Sequence, residues 1–320
     1  MRRKYLLLAL PIVGLVWAVN ASLFVVDHGG APKLLAHRGV HQQFASDRLD
    51  ADTCTAAIMA PPSHSFLENT LPSMAAAFAA GADVIEIDVH LTPDREFIVF
   101  HDWRLDCRTE GQGVTNETRL PALKSLDVGY GYTADGGGTY PFRGEGVGLM
   151  PTLGEVFDAF PDGRFLINFK SRRREEGAAL ADMLNQILSR RAQVFGVYGG
   201  APPTQAAIAG VEGLRGFDKA SPMGCVTRYA AIGWLGVVPA LCRETILAIP
   251  INIAPWLWGW PDRFQRRMQN AGSEVILLGP YDGGSFSSGI DSPELAGDLP
   301  KSFDGYVWTN RIEAIGPTFQ

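Results

Sequence analysis

The sequence predicts an α/β protein whose main part is a (β/α)₈ barrel, a TIM barrel, preceded by an apolar N-terminal segment. Strand-like and helix-like stretches alternate along the chain, which favours a mainly parallel sheet. Eight strand-like stretches fall within residues 27–320, and that number fits a closed barrel better than an open doubly wound sheet. No G-x-G-x-x-G stretch opens a helix, so a dinucleotide-binding fold is disfavoured.

The first 26 residues have the pattern of a membrane segment. Basic residues at positions 2–4 precede 22 residues, Tyr5 to Val26, that carry no charge. At about 1.5 Å per residue, such a helix is long enough to cross a bilayer core of about 30 Å. A cleaved signal peptide is the alternative, with residues 1–21 removed, since Val19-Asn20-Ala21 resembles a small-residue cleavage site. In either case the basic flank predicts that residues 27–320 are exported as one domain, either anchored at the cell membrane or secreted.

The predicted elements have recognisable start and stop signals. Thr70 is a good N-cap for the first helix, and Thr152 with Glu155 has the spacing of a capping box at the start of the second. The predicted helices span residues 69–81, 152–160 and 175–191. The predicted strands span residues 33–37, 83–89, 97–101 and 164–170, followed by the runs QVFGVYG, GLRGFDKA, EVILLGP and DGYVWTN. The stretch 221–260 is interpreted as an insertion.

Composition and charge narrow the classes of function. The chain is 46% hydrophobic and 19% charged, which is typical of a globular protein. Its net charge of −6 offers polyanions no general attraction, so nucleic acid is not an expected partner. The four cysteines include no C-x-x-C pair, which disfavours zinc or thioredoxin-type chemistry. In an exported domain they would form two disulfides with three possible pairings; the alternative is four buried free thiols.

Polar side chains recur at the ends of the predicted strands, where the catalytic groups of such barrels lie. Glu86 and Asp88 are two residues apart on one strand, so they point to the same face. Uncompensated carboxylates in one interior are costly, and a bound cation or nearby Arg and Lys side chains would offset that cost. Oxygen ligands without cysteine indicate a hard ion, Mg²⁺ or Ca²⁺. The other strand-end residues are His37, Arg38, His101, Asp102, Asn168, Lys170 and Asn310.

Taken together, these stretches resemble the signature of glycerophosphodiester phosphodiesterases. The motifs run in order through LLAHRG, LENT, EIDVHLTPD and IVFHD, and the resemblance continues through PTLGEVF and INFK to DGYVWTN. It implies a (β/α)₈ barrel that hydrolyses glycerophosphodiesters to an alcohol and glycerol 3-phosphate with a divalent metal, Mg²⁺ or Ca²⁺. It also suggests that the substrate's own glycerol hydroxyl attacks first and that water then opens the cyclic phosphate.

The resemblance implies roles for individual residues. His37 and His101 would be the catalytic acid/base pair. The substrate-binding residues would be Arg38 and Lys170, near the phosphate, and Glu68 at the rim of the site. The metal ligands would be Glu86, Asp88 and Asn168.

Two positions depart from the family's pattern. Asn168 stands where the family's fourth strand has a glutamate ligand, and Asn310 stands where the last strand usually has aspartate. An asparagine carbonyl can bind a hard cation but brings no charge, so we expect weaker ion binding. The alternatives are a lysophospholipase D-like phosphodiesterase at the membrane surface and a non-catalytic binding protein on the same barrel.

The barrel that the resemblance implies also suggests a pairing of the cysteines. Cys54 and Cys107 would both lie on loops at the catalytic face, so the expected disulfides are Cys54–Cys107 and Cys225–Cys242. The stretch PWLWGWP at residues 255–261 either packs as an ordinary loop, lines an apolar substrate channel or meets a membrane surface. The expected partners are therefore a small phosphodiester or lysophospholipid substrate and, through the N-terminal segment, the membrane.

Overall fold

The computed structural model describes residues 14–22, 30–44, 49, 53–283 and 288–319, and its centre is a parallel barrel. The strands are β1 (Lys33–His37), β2 (Val84–Leu91), β3 (Phe97–Val99), β4 (Phe165–Phe169), β5 (Val194–Gly199), β6 (Gly216–Asp218), β7 (Ile246–Pro250), β8 (Glu274–Leu278) and β9 (Tyr306–Thr309). Eight of them form a nearly closed parallel sheet in the order β6-β5-β4-β2-β1-β9-β8-β7. The predicted barrel is confirmed at this level.

Helices alternate with the strands, as the sequence predicts. They are α1 (14–20), α2 (Leu71–Ala79), α3 (Leu120–Lys124), α4 (Leu153–Ala159), α5 (Arg174–Gln186), α6 (Ala201–Gly210), α7 (Ser221–Ile232), α8 (Asp262–Asn270), α9 (Pro293–Gly297) and α10 (Ile312–Ile315). Both predicted N-terminal caps are confirmed. The Thr70 side chain accepts a hydrogen bond from Ser73, and Thr152 and Glu155 form a complete capping box.

One predicted barrel strand is wrong. The β3 strand pairs antiparallel with β2, with Val99 opposite Val89, and lies off the barrel. Residues 92–96 alone join the two strands, and a parallel neighbour needs a crossover of about a dozen residues or more. The eighth barrel strand is β7, which pairs with β8 and lies in the stretch that the sequence indicated as an insertion.

The alternation of side chains along β2 places two carboxylates inside the barrel. Ile85, Ile87 and Val89 belong to the large cluster between the strands and the helices. Val84 belongs to the cluster that fills the barrel, and Glu86 and Asp88 share its side of the strand and are fully buried. On the open side of the barrel, the Thr245 hydroxyl near the start of β7 donates to the Gly216 carbonyl of β6 at 2.9 Å.

The predicted disulfides are both present. Cys54 pairs with Cys107, and Cys225 pairs with Cys242, with Cα–Cα distances of 5.5 and 5.0 Å. The predicted membrane segment lies largely outside the described residues, which include only 14–22 of it. Within the described ranges, no helix is both long and apolar enough to cross a bilayer.

Candidate active site

The polar strand-end residues meet because of the strand register. His37, the last residue of β1, lies opposite Glu86 on β2. Asp88, two residues further along β2, lies opposite Asn168 on β4. The side chains of His37, Glu86, Asp88 and Asn168 therefore meet at the carboxyl end of the barrel, where the sequence predicted the site.

His37 is oriented by the last barrel strand. Its Nδ1 lies 2.6 Å from the Asn310 side-chain oxygen, while the Asn310 amide nitrogen donates to Asp291 at 2.8 Å. Because Asp291 accepts from that nitrogen, the Asn310 oxygen faces the ring and His37 donates its Nδ1–H. The other ring nitrogen, Nε2, accepts from Arg38 Nε at 3.1 Å. Burial and the neighbouring Arg38 hold the pKa of His37 well below its usual value, so the ring is neutral at pH 7.

His101 is oriented by its own neighbour in the chain. Its Nδ1 lies 2.7 Å from a carboxylate oxygen of Asp102, whose other oxygen accepts a short hydrogen bond from Arg108. Burial, Arg38 and Lys170 lower the pKa of His101 to about 4, against the opposing effects of Asp88 and Asp102. This ring is also neutral at pH 7, and its Nε2 is the nitrogen left for proton transfer.

Two buried arginines, Arg38 and Arg108, connect the surroundings of His37 with those of His101 through Glu68. Glu68 accepts from Arg38 with one oxygen and from Arg108 with the other, each at 3.1 Å. Arg108 is only 2% exposed, and it also donates to Thr55 at 2.6 Å. Glu68 thus bridges two cations, and its role as a support at the rim of the site stays a prediction. Although burial opposes the shift, Arg108 and Arg38 keep the pKa of Glu68 below its usual value.

Backbone strain accompanies this arrangement. Arg38 and Asn69 both have a φ of 59°, in the left-handed region that side chains other than glycine rarely adopt. The Asn69 amide donates to the Arg38 carbonyl at 3.0 Å, so the two strained residues hold each other. Strain of this kind is typical of sites whose geometry is fixed for function.

Asp88 is surrounded by donors and cations. Asn168 donates to its Oδ1 at 2.9 Å, and Asn69 donates to its Oδ2 at 2.9 Å. Lys170 lies 3.4 Å from Oδ1, and Arg38 lies 3.3 Å from Oδ2. Although burial opposes the shift, Lys170, His101 and Arg38 hold the pKa of Asp88 far below its usual range. Asp88 is therefore ionised and fully paired.

Glu86 differs from Asp88 although both side chains are fully buried. Tyr198 on β5 donates its hydroxyl to Glu86 Oε1 at 2.6 Å, whereas Oε2 has no hydrogen-bond partner and lies 3.7 Å from His37 Nε2. Burial and the neighbouring Asp88 raise the pKa of Glu86 to about 8. The two carboxyl groups thus share one charge between them at pH 7.

These contacts bear directly on the predicted ion site. Both Asp88 oxygens are engaged, Asn168 turns its amide nitrogen toward Asp88, and Glu86 Oε2 is the one carboxylate oxygen of the set without a partner. In the part of the chain that the structure describes, no group of three or more His, Cys, Asp or Glu residues is placed to hold a metal ion. A hard divalent ion requires about six oxygen ligands, so these residues do not fit one in this arrangement. The ion stays a prediction.

Sequence reasoning missed several residues of the site. Tyr198 ends a barrel strand, so its position carried the same signal as the residues that were found. Asn69 lies within the LENT motif, of which only Glu68 was given a role. Arg108 carried no signal, because its place beside Asp102 and Glu68 depends on how the loop after β3 folds back.

Comparisons with known proteins agree with this geometry. The Glycerophosphoryl diester phosphodiesterase family matches residues 37–199, about half of the chain. A glycerophosphodiester phosphodiesterase of Caldanaerobacter subterraneus subsp. tengcongensis is 38% identical over 103 residues, which are 32% of this chain and 39% of that protein. A lysophospholipase D of Rattus norvegicus is 30% identical over 136 residues, 41% of this chain and 40% of that protein. The chain thus spans about two fifths of the length of these curated relatives.

Solved structures share the fold over nearly the whole chain. The glycerophosphoryl diester phosphodiesterase domain of an uncharacterized protein from Mycobacterium tuberculosis superposes with a TM-score of 0.62 at 16% identity, covering 90% of this chain and 98% of that one. A phosphodiesterase from Oleispira antarctica, in complex with the product sn-glycerol-3-phosphate, has a TM-score of 0.55 at 19% identity, covering 90% and 96%. At these identities the likeness shows a common fold.

Proposed function

The chain belongs to the glycerophosphoryl diester phosphodiesterase family, and from this premise we propose that it hydrolyses glycerophosphodiesters to an alcohol and glycerol 3-phosphate. The observation that carries the proposal is the joint placement of two oriented, neutral histidines around two cations, Arg38 and Lys170. Neither histidine by itself would distinguish a catalytic site from a hydrogen-bonded structural one.

Arg38 and Lys170 are suited to hold the phosphate. Both lie within 3.4 Å of an Asp88 oxygen and remain slightly exposed, at 11% and 21% of their side chains. A phosphodiester is anionic and resists attack, so cations fixed in place stabilise the charge that builds up on its oxygens. Because Asp88 and Glu68 hold these cations in position beforehand, little reorganisation is needed when the substrate arrives.

The two histidines are suited to move the protons. His101 accepts the proton of the attacking hydroxyl at Nε2, since Asp102 behind its Nδ1 stabilises the positive charge that develops on the ring. His37 must first take up a proton at Nε2 as the anionic substrate binds, and the resulting imidazolium then delivers that proton to the departing alkoxide, so the P–O bond breaks with neutral alcohol as product. Binding of the anionic phosphate raises the pKa of both rings toward the range in which such transfers are efficient. In the second half of the reaction the roles reverse, and water opens the cyclic phosphate.

A lysophospholipase D-like activity is the second candidate. The similarity to the rat lysophospholipase D and the exposed tryptophans Trp256 and Trp258 favour it. Both reactions break a phosphodiester beside a glycerol group, so the same residues would serve both, and they differ in whether an acyl chain must be bound. Comparing the release of choline from glycerophosphocholine and from lysophosphatidylcholine separates them.

We also propose that the barrel acts outside the cytoplasm, anchored by or cleaved from residues 1–26. Two disulfides and the basic flank before an uncharged segment support this location. A divalent ion, Mg²⁺ or Ca²⁺, remains part of the proposal, although its predicted ligands need to rearrange to bind it. Substrate phosphate oxygens would supply part of the ligand set for such an ion.

The test is turnover of glycerophosphocholine by the purified full chain, with glycerol 3-phosphate as the measured product. His37→Ala and His101→Ala should each reduce kcat by about 10²- to 10⁴-fold, the range typical of general acid–base groups. His64→Ala is the matched control, because the hydrogen bonds of His64 go to Gln42 and Phe66 and to none of the proposed catalytic or binding residues, so turnover should be unchanged. If wild type were inactive on both substrates with either metal in excess, the binding-protein alternative would replace this proposal.

A further inference from the structure

An uncharged stretch lies exposed on one flank of the barrel. Residues 229–242, YAAIGWLGVVPALC, run from the end of α7 toward β7 and contain no charged side chain. Five large apolar side chains in this stretch are between 36% and 55% exposed: Ile232, Trp234, Leu235, Val237 and Leu241. Single exposed apolar side chains are ordinary, but a contiguous group of them marks a surface that another body covers.

Two tryptophans of a second segment extend this surface. Trp256 is 82% exposed and Trp258 is 38% exposed, and both lie in the loop after β7. Trp258 Nε1 donates to the Ala230 carbonyl at 2.8 Å, so this loop lies directly against the end of α7. We name the combined exposed surface the apolar ridge; it consists of Ile232, Trp234, Leu235, Val237, Leu241, Trp256 and Trp258.

The backbone beneath the apolar ridge is firmly held. The buried Cys225–Cys242 disulfide ties α7 to the end of the uncharged stretch. Arg267 on α8 donates to the Tyr229 hydroxyl at 2.8 Å and to the Gly233 carbonyl at 3.1 Å. The ridge side chains are therefore presented to the outside by a fixed scaffold, as the side chains of a binding surface are.

The N-terminal segment borders the same surface. Asn20 donates to the Trp234 carbonyl at 2.9 Å, and Arg267 donates to the Val19 carbonyl at 3.0 Å. Leu15 and Trp17 on α1 are 65% and 58% exposed. These residues belong to the uncharged stretch from Tyr5 to Val26, and its described part, residues 14–22, borders the apolar ridge.

We propose that the apolar ridge is a membrane-docking surface that seats the barrel on the interface of a phospholipid bilayer. Tryptophan is favoured at that interface because its ring is apolar and its N–H is polar. Arg228, exposed immediately before the uncharged stretch, can meet an anionic lipid head group, whereas Arg243 after it donates to the Val238 carbonyl at 3.2 Å and is followed by the exposed Glu244. Residues 14–20, the described part of the predicted membrane segment, border the ridge, so an anchor in that segment would hold this flank of the barrel against the bilayer. This inference rests on the surface and does not depend on the proposed reaction.

The test uses quenching of tryptophan fluorescence by lipids with brominated acyl chains. The full chain carries Trp17→Phe in every sample, so that the N-terminal segment contributes no signal, and it is reconstituted into vesicles of phosphatidylcholine with phosphatidylglycerol. The expected result is that the brominated lipids quench part of the tryptophan emission. Most of this quenching should disappear in the additional triple variant Trp234→Phe, Trp256→Phe, Trp258→Phe. Trp103→Phe is the matched control, because Trp103 is 46% exposed on the loop after β3 and should leave the quenched part unchanged.

A charge variant tests docking without removing the reporters. Leu235→Glu combined with Val237→Glu should abolish most of the quenching, whereas Leu188→Glu, at an apolar side chain 63% exposed after α5, should not. The circular dichroism spectrum and the thermal unfolding midpoint of each variant show that the barrel is folded. Quenching that survives in the triple phenylalanine variant would overturn the proposal. The proposal would also be overturned if the detergent-solubilised protein were a dimer and Leu235→Glu dissociated it. That result would mean that the apolar ridge binds a second copy of the chain.

Discussion

His37 ends a barrel strand and His101 follows a hairpin strand outside the barrel, yet both are held at Nδ1 by a side-chain oxygen. The distances are similar, 2.6 Å to Asn310 and 2.7 Å to Asp102. The groups behind those oxygens differ. Asn310 is a neutral amide anchored by the carboxylate of Asp291, whereas Asp102 is a carboxylate anchored by the guanidinium of Arg108.

The difference bears on the opposite roles that we propose for the two histidines. Burial is the leading cause of the low pKa of both rings. Asp88 counteracts that effect at both rings, and Asp102 adds a further full negative charge at His101, while Asn310 offers His37 only a dipole. His101 is therefore the better of the two at holding a second proton, and His37 is the more ready to give one up.

The largest effect should come from removing the charge behind His101. Asp102→Asn keeps an oxygen near Nδ1 but no longer stabilises the imidazolium, so kcat should fall by about 10²- to 10⁴-fold. Because Asp102 raises the pKa of His101, the variant's acid limb of kcat/KM should shift to lower pH than that of wild type. Asp106→Asn, on the same loop and half exposed, is the control. A pH profile that does not move would argue against His101 as the titrating group.

Removing Arg108 should break the support of both histidines at once. Arg108→Met leaves Asp102 and Glu68 without their buried cation, which typically costs about 3–5 kcal/mol in the free energy of unfolding. Chemical denaturation with the disulfides intact measures this change. Arg104→Met is the matched control, because that arginine is 59% exposed in its pair with Asp106 and should cost under about 1 kcal/mol. Equal costs for the two variants would show that the buried network contributes little.

The substitution Asn310→Asp would give His37 a carboxylate partner at Nδ1 like the one that His101 has. Asn310→Asp places a negative charge at Nδ1 and raises the pKa of His37, but it also faces Asp291 across a contact of 2.8 Å. We expect kcat to fall by about 10-fold, because a higher pKa makes His37 a weaker proton donor to the leaving alkoxide. The double variant Asn310→Asp, Asp291→Asn removes the repulsion and should recover part of that loss. No recovery in steady-state kinetics would mean that the neutral amide itself is required.

The smallest expected effect is the change that Asn168→Glu makes in the metal concentration needed for half-maximal activity. If a divalent ion serves the site, a chelator abolishes turnover and excess Mg²⁺ or Ca²⁺ restores it. Asn168→Glu should then lower the metal concentration for half-maximal activity, since a further anionic oxygen attracts the ion. Asn185→Glu, on the outer helix α5, is the control for added charge. If Asn168→Glu instead lowers activity at every metal concentration, the added carboxylate repels the substrate phosphate.

Most of the site's members could be predicted from the sequence, but their arrangement could not. His37, Arg38, Glu86, Asp88, Asn168 and Lys170 all stand at or near strand ends, and the motif order identified the family. The orientation of the Asn168 amide, the bridge from Glu68 to two arginines and the contact of Tyr198 with Glu86 depend on distances across strands and loops. A pattern along one strand carries no information about those distances.

The sequence by itself determined the class of fold, both helix caps and the N-terminal apolar segment as a feature of the chain, because these depend on local periodicity and capping chemistry. Only the tertiary structure decided which strands form the barrel. The apolar runs FIV and ILAIP look alike as isolated strands, yet the first folds back against β2 and the second joins β8. The connection before FIV is too short for a parallel crossover, so backbone hydrogen bonding forces a hairpin. The β7 strand lies in the barrel because an eighth parallel strand must bury its two apolar faces between the barrel interior and the helices.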